Sequence, residues 1–178
     1  MPFVQTTHTL VPGSLANDAA IGSVAWTNPG NATSANSPGA TCTLGAGVTS
    51  NYIKGTNCGA AIPTSCIVEG IEVSCDVKAS ALGLIREQQI VLVALGTPLT
   101  VSKDFGLITF ILTFVAKTAG ALTDLWSWTE GGAGINDSGF GCAVAITNIG
   151  VLSADVELKN LRIKVKVNTD FIAGGMVG

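Results

Sequence analysis

The residues with the most potential for chemistry in this chain are one histidine, five cysteines, and acidic residues beside two tryptophans. His8 is the single histidine, and it lies in an N-terminal segment that we interpret as an extended arm. A serine or cysteine nucleophile needs a base held firmly beside it. A histidine-based metal site needs more than one such ligand. His8 therefore predicts neither a catalytic triad nor a histidine metal centre.

The five cysteines have no CxxC pair, which argues against a zinc or iron–sulfur site. Cys75 and Cys142 alternate with apolar residues and are predicted to be core thiols. Cys42, Cys58 and Cys66 lie in or near turns. If a disulfide forms, we expect it between Cys58 and Cys66. Free structural cysteines are the alternative that we favour.

One acidic cluster lies beside aromatic residues and consists of Asp124, Glu130 and Asp137 around Trp126 and Trp128. Glycoside hydrolysis needs two carboxylates that flank the substrate, and an indole ring can stack on a sugar. Trp126, Trp128, Asp124 and Asp137 are therefore candidate contacts for a glycan or a partner. We favour the alternative of turn carboxylates and core or semi-buried tryptophans. We assign no catalytic, cofactor-binding or metal-ligating residue, and we predict that the protein is not an enzyme.

The composition is unusually poor in charge. Only 12% of the 178 residues are charged, against roughly 25% in an ordinary soluble domain. The net charge of −3 argues against nucleic-acid binding, which needs clustered Lys and Arg. The best membrane candidate, 105–116, is shorter than the roughly 20 residues that a spanning helix requires. We therefore predict that partner subunits cover much of the surface.

Turn residues recur at short intervals between apolar runs, which is typical of an all-β sandwich or barrel. The clearest strand is 67–79, where one set of alternating residues predicts a core face. That set is Ile67, Ile71, Val73, Cys75 and Val77, whereas Val68, Glu72, Ser74, Asp76 and Lys78 form the other face.

A second strand is predicted over 155–167, where the apolar phase changes part-way along. A β-bulge near Lys159-Asn160 would reconcile the two phases. Two further segments, 90–95 and 107–116, are apolar on both alternating faces. Such strands need a second covering layer, which is either a loop of the same chain or a neighbouring subunit.

These patterns predict three regions in the chain. Residues 1–18 form an N-terminal arm, residues 19–170 a β-sandwich domain, and residues 171–178 a short apolar C-terminal tail.

Short motifs follow one another in a recognisable order from Ala20 to Asn168. They are Trp26-Thr27-Asn28-Pro29-Gly30-Asn31-Ala32, Ser50-Asn51-Tyr52-Ile53-Lys54, Ile62-Pro63, Val68-Glu69-Gly70-Ile71-Glu72-Val73, Asp124-Leu125-Trp126, Trp128-Thr129, Ile135-Asn136 and Phe140-Gly141. This order resembles a β-sandwich domain found in many virion proteins of tailed bacteriophages. Two departures fall in one loop region: Ser127 stands where the family pattern has Gly, and Gly134 where it has Asp.

The resemblance implies an antiparallel β-sandwich of jelly-roll type and a structural role in a phage virion. Within that role we expect a capsid decoration (cement) protein that bridges neighbouring capsid subunits. The alternative is a tail, collar or baseplate fibre module that binds a host glycan or another tail protein. The expected partners are further copies of the chain in a homotrimer, the major capsid protein, and other virion proteins. We expect no nucleic-acid or membrane partner, no cofactor, and a location on the particle surface after assembly in the host cytoplasm.

Overall fold

A computed structural model of the chain describes residues 4–36, 38–80, 84–105, 108–109 and 113–169. Strands account for 57% of the structure and helices for 6%. The strands in these ranges are β1 (Val4–Leu10), β2 (Ser14–Asp18), β3 (Ala40–Leu44), β4 (Tyr52–Thr56), β5 (Ile67–Ala79), β6 (Leu84–Ala94), β7 (Thr97–Lys103), β8 (Ile108–Thr109), β9 (Val115–Ala121), β10 (Gly141–Asn148) and β11 (Ala154–Thr169). A 3-10 turn spans Pro29–Thr33, and a short helix α1 spans Gly131–Ile135.

The strands form two antiparallel sheets that pack as a sandwich. The first sheet has the order β1-β11-β5-β9, with β3 also paired to β11. The second has the order β2-β4-β10-β6-β7, with β8 also paired to β6. Eight strands thus form two facing rows, β3-β11-β5-β9 and β4-β10-β6-β7, and the chain crosses between the rows at most connections. This is the strand order of a jelly roll, so the predicted fold class is confirmed.

The two strands predicted most clearly from the sequence, β5 and β11, lie side by side in the first sheet. Their pairing shifts register between Lys159 and Arg162, and Asn160 has a left-handed φ of 54°. This irregularity confirms the predicted bulge. It lets both halves of β11 turn their apolar residues towards the core.

A second irregularity corrects the prediction for the start of β5. Gly70 pairs with Lys166 but Val68 pairs with Val167, which leaves Glu69 as the extra residue. The extra residue inverts the alternation. Val68 is therefore buried, whereas Ile67, which we predicted on the core face, is 60% exposed.

In the second sheet, β10 is buried along its whole length, and β6 is buried on both faces from Ile90 to Val93. The prediction of two buried faces for 90–95 is therefore confirmed as far as Val93, whereas Leu95 lies in the following turn and is exposed. The outer side is covered by the same chain: Tyr52 and Ile21 pack against Val91 and Val93. A neighbouring subunit is therefore not needed to cover these strands. Much of the other predicted segment, 107–116, lies outside the described residues, and β9 begins near its end.

The predicted N-terminal arm is corrected by the structure. Residues 4–10 pair with β11 as β1, and residues 14–18 pair with β4 as β2. The arm thus supplies one edge strand to each sheet, because its backbone groups find partners at both sheet edges. The predicted C-terminal tail, 171–178, lies outside the described residues.

The tight hairpin between β6 and β7 carries a residue that is poorly suited to its conformation. Leu95 and Gly96 have φ of 50° and 78°, as in a two-residue type I′ turn. Asn is favoured at the first position because it tolerates the left-handed region better than Leu. Leu95→Asn is therefore expected to raise the free energy of unfolding by about 0.5–1 kcal/mol. Urea denaturation measures the change. The control Leu95→Ala removes the same exposed side chain without relieving the backbone, and an equal gain in it would contradict the explanation.

Candidate functional site

The loop between β9 and α1 holds the tryptophans predicted as glycan contacts. Trp126 is 1% exposed and Trp128 is 5% exposed. Trp126 and Ser127 both have positive φ, 49° and 62°. Gly is the residue that adopts this conformation most readily, so Ser127 is an unusual residue at this position. The turn directs the Trp126 indole inwards, close to Gly120.

Trp128 packs within the core beside Phe140. The two ring centroids are 5.1 Å apart and the ring planes meet at 73°, an edge-to-face arrangement. The indole Nε1 of Trp128 donates a hydrogen bond to the carbonyl oxygen of Gly131 at 3.2 Å. Neither Trp126 nor Trp128 exposes a ring face to solvent. The prediction that they contact a glycan is therefore wrong, and the interpretation as core tryptophans is confirmed.

The two carboxylates of the same prediction shape turns. Asp124 accepts a hydrogen bond from the backbone N–H of Trp126 at 2.9 Å and forms an ion pair with Lys103 at 2.6 Å. The Lys103 ammonium, together with the Trp126 N–H, holds the pKa of Asp124 below its ordinary value. Asp137 accepts a hydrogen bond from the N–H of Gly139 at 2.7 Å. These contacts support the interpretation as turn carboxylates.

All five cysteines are free thiols, so the Cys58–Cys66 disulfide is not formed in this structure. Cys58 is half-buried and donates to the carbonyl oxygen of Phe140 at 3.5 Å. Burial raises the pKa of Cys58 to about 11 and that of Cys42 to about 12. It also raises the pKa of Cys142 far above the ordinary value. A raised pKa keeps each sulfur in the unreactive thiol form.

These thiols are expected to resist alkylation in the native protein. With a pKa of about 11, Cys58 is ionised to only about one part in a thousand at pH 8, and the other four are buried. Iodoacetamide at pH 8 should add slowly to Cys58 alone, and unfolding should expose all five cysteines. Intact-mass spectrometry counts the adducts. If unfolded protein without reductant takes up only three, two cysteines are joined and the free-thiol assignment is wrong.

Charged side chains gather on the outer face of the first sheet, which we call the charged face. Its residues are Glu69, Glu72, Lys78, Glu157, Lys164 and Lys166. Three ion pairs cross between neighbouring strands, with N–O distances of 2.6, 2.8 and 2.9 Å. The second sheet differs, because the centre of its outer face is an apolar cluster around Tyr52, Val91 and Ala143. Three of the ion pairs of the described residues thus lie on this one face.

The loop between β10 and β11 exposes three large apolar residues in sequence. Ile149 is 42% exposed, Val151 90% and Leu152 49%. We call residues 149–152 the apolar loop. Exposed apolar residues that cluster often mark an interaction site, whereas isolated ones do not.

The apolar loop is held in place by Asn148, which is fully buried. The amide nitrogen of Asn148 donates to the carbonyl oxygens of Leu44 at 2.9 Å and Leu152 at 2.7 Å. The amide oxygen accepts from the N–H of Gly150 at 2.9 Å, and the N–H of Ile149 donates to Leu84 at 2.7 Å. The loop therefore presents its side chains from an ordered backbone.

The apolar loop is not among the candidate sites predicted from the sequence. A signal was present, because three apolar residues stand between two strong strand patterns, where a turn is expected to be polar. Their exposure could not be read from composition.

Two depressions lie on the surface of the described residues. One, of about 510 Å³, is lined by polar and apolar residues that lie mostly on β3, β5 and β11, among them Thr41, Thr43 and Asp155. The other, of about 460 Å³, crosses the second sheet beside Tyr52 and Pro98. Tyr52 is buried, and its hydroxyl donates to Gln89, so it offers no open ring face for stacking.

Neither a metal-ligand cluster nor a membrane-spanning helix is found in the described part of the chain. Among these residues no group of three His, Cys, Asp or Glu side chains could hold a metal ion. His8 lies on β1, opposite Val165 and half-buried. No helix in the described ranges is long and apolar enough to cross a membrane.

Comparisons with known proteins place the chain in no family. No protein-family model matches it, and no curated protein matches it. One similar solved structure is described as "CBM4 structure and function". It shares 13% sequence identity with this chain and has a TM-score of 0.32. The alignment covers 88% of this chain and 92% of the chain in that structure. A likeness at that level carries no argument, and the fold assignment depends on the strand order itself.

Proposed function

We propose that this protein is a structural component of a tailed-bacteriophage virion, namely a capsid decoration (cement) protein that bridges neighbouring capsid subunits. The observation that carries the proposal is the apolar loop, in which Val151 is 90% exposed on a backbone clamped by buried Asn148. The motif order that resembles phage virion domains supports the same role. The jelly-roll fold is compatible with it, although the fold by itself does not determine function.

The physical basis of the role is burial of apolar surface. Covering one exposed Val or Leu side chain completely stabilises a contact by about 1.5–3 kcal/mol. Because the loop backbone is already ordered, little conformational entropy is lost when a partner covers it. The same contact would hold adjoining capsid subunits together against the pressure of packaged DNA.

The proposed assembly is a homotrimer at local three-fold positions of the head, bound to the major capsid protein. Three copies of the apolar loop would then bind at once, and linked contacts strengthen one another without any new chemistry. In this role the protein acts mechanically, without catalysis, cofactor, nucleic acid or membrane. It is located on the particle surface after assembly in the host cytoplasm.

The test is addition of the purified protein to expanded capsid shells that lack it. We expect the protein to co-sediment with the shells, and quantitative mass spectrometry of intact particles to give hundreds of copies. Absence of shell binding, together with a dozen or fewer copies per particle, would place the protein in the neck or tail and overturn the decoration role.

A second candidate is a tail, collar or baseplate fibre module that binds a host glycan or another tail protein. The depression beside β3 favours it, because Thr43 and Asp155 offer hydroxyl and carboxylate groups there. Thr43 donates to Asp155 at 2.6 Å, so the pair is already oriented. Retention on host polysaccharide that is lost in Asp155→Asn would support this candidate, and retention that is equal in the two proteins would exclude this site.

A further inference from the structure

Strand β1 forms an outer edge of the first sheet. All seven residues, Val4–Leu10, pair with β11 in unbroken register. Within the described ranges, no strand pairs with the opposite side of β1. The first four residues of β1 are exposed, and Leu10 at its end is buried. The backbone of β1 therefore offers a row of donors and acceptors to another chain.

Three other edge strands, β7, β9 and β2, carry features that discourage such pairing. β7 contains Pro98 and ends at Lys103. β9 contains Lys117 and the left-handed Gly120, and β2 ends at Asp18. Prolines, lysines and irregular backbone are the devices by which monomeric proteins protect sheet edges. β1 has no Pro, Gly, acidic residue, Lys or Arg, and its pairing shows no bulge.

The sequence of β1 is also complementary to itself in antiparallel orientation. If two copies meet with Thr7 at the two-fold axis, Val4 lies opposite Leu10 of the second copy, and Thr6 lies opposite its His8. Gln5 then lies opposite the second copy's Thr9. The even-numbered residues of β1 face the core, as buried Leu10 shows. In this register they lie opposite even-numbered residues of the second copy, so the core-facing side of one sheet continues into the core-facing side of the other. Thr7 meets Thr7, a favourable cross-strand pair, and no like charges meet.

We propose that β1 is a docking edge for a second copy of this chain, paired antiparallel about Thr7, so that the first sheets of two molecules join into one continuous sheet. This contact goes beyond the proposed decoration role and does not need a capsid. It is a two-fold contact, separate from the three-fold contact of the proposed trimer, and on a shell it would link trimers in pairs.

A contact limited to one pair of short strands is small, and small interfaces are weak and transient in solution. A disulfide at the axis can capture it. Directly opposite residues of antiparallel strands have Cα atoms about 4.5–5.5 Å apart, which suits a disulfide. The side chain of Thr7 points to the outer face, opposite Lys166 of β11, and is exposed.

The test uses single-cysteine additions on β1 in the full chain, with oxidised glutathione and non-reducing gels. Thr7→Cys should give a disulfide-linked dimer. Gln5→Cys alone and Thr9→Cys alone should not form a dimer. In each of these variants the two introduced cysteines would lie four residues apart along the paired strands, about 13 Å, which is too far for a disulfide. A mixture of these two variants should again give a dimer. The wild-type protein is the control for its own five cysteines.

The pattern of cross-links decides the outcome. Equal cross-linking of all three single variants would indicate random collision and overturn the proposal. If Gln5→Cys is the only one of the three single variants to form a dimer, the two-fold axis lies elsewhere and the proposed register is overturned. No dimer from any variant, at protein concentrations up to the millimolar range, would overturn the contact itself.

A charge swap at the axis gives a reversible test in the same protein. Thr7→Glu and Thr7→Lys each place like charges opposite one another, so self-association of each should weaken by about fivefold. Mixing the two variants should restore association, measured by sedimentation equilibrium. Thermal unfolding of each variant reports separately on the fold, since Lys166 lies beside the site. Unchanged association of both single variants would contradict the proposal.

Discussion

Replacing Gly120 with alanine is expected to lower the free energy of unfolding by about 4 kcal/mol or more. Gly120 has a φ of 74°, where an L side chain is strained. A β-carbon there would lie 2.1 Å from Nε1 of Trp126 and 2.7 Å from the carbonyl oxygen of Ile71. Trp126 is fully buried and cannot move aside without disturbing the core. Since a domain is stable by only about 5–15 kcal/mol, much of the native population should be lost.

Urea denaturation followed by tryptophan fluorescence measures this effect. The matched control is Gly59→Ala, because Gly59 has a similar φ of 58° but nothing within 4 Å of the added carbon. In the control, only the strain of a side chain at positive φ lowers the free energy of unfolding, by about 1–2 kcal/mol. Equal losses in the two variants would show that the contact of Gly120 with Trp126 contributes nothing beyond backbone strain.

The double substitution Val151→Asp with Leu152→Asp is expected to reduce binding to capsid shells by a factor of about 10² to 10⁴. Burial of Val151 contributes up to about 1.5–3 kcal/mol and burial of the exposed half of Leu152 about half as much. Both contributions are lost, and carboxylates must be desolvated in their place. The fold should be retained with a modest loss of stability, because Val151 is 90% exposed and only half of the Leu152 side chain is buried. Binding is measured by co-sedimentation, and thermal unfolding verifies the fold.

The control for this variant is Leu95→Asp, which replaces another large exposed apolar residue with the same charge. Leu95 is 73% exposed and lies in the β6–β7 hairpin, outside the apolar loop. It should bind shells as the wild-type protein does. Normal binding of the double variant would remove the apolar loop from the proposed interface, and a loss in Leu95→Asp as well would indicate a general effect of charge.

Much of the fold could be predicted because β5 and β11 bury one face and solvate the other. Period-2 alternation is strong in such strands, and even the bulge at Asn160 appeared as a change of phase. The start of β5 was harder to predict. Val68 and Ile67 exchange sides because of one extra residue, and both are apolar, so the pattern does not reveal the exchange.

The N-terminal strands could not be recognised for a related reason. β1 buries only Leu10, and its alternating residues are mostly threonines and polar groups on both sides. An edge strand of this kind is stabilised by main-chain hydrogen bonds to its neighbour. Hydrogen bonds between backbones leave little trace in side-chain patterning, so a paired edge strand and a free arm look alike in sequence.

The candidate site likewise combines features that the sequence predicts with features that depend on the tertiary structure. The sequence located two tryptophans in a turn-rich loop, but their exposure depends on the direction of the turn. Left-handed backbone at Trp126 and Ser127 directs the indole onto Gly120, a residue of another element. The apolar loop is the converse case. Its residues resemble core residues in composition, but Asn148 anchors them where no other part of the described structure covers Val151.

By itself, the sequence determined the fold class, the two strong strands and a composition poor in charge. It also determined the bulge between the two halves of β11. Those properties follow from local alternation and composition, which each residue carries wherever it lies. The tertiary structure alone decided which apolar residues stay exposed, which edge strands find partners, and where the ion pairs gather. Those properties depend on contacts between residues far apart in the chain, such as Glu69 with Lys166 or Asn148 with Leu44, and no short-range pattern encodes them.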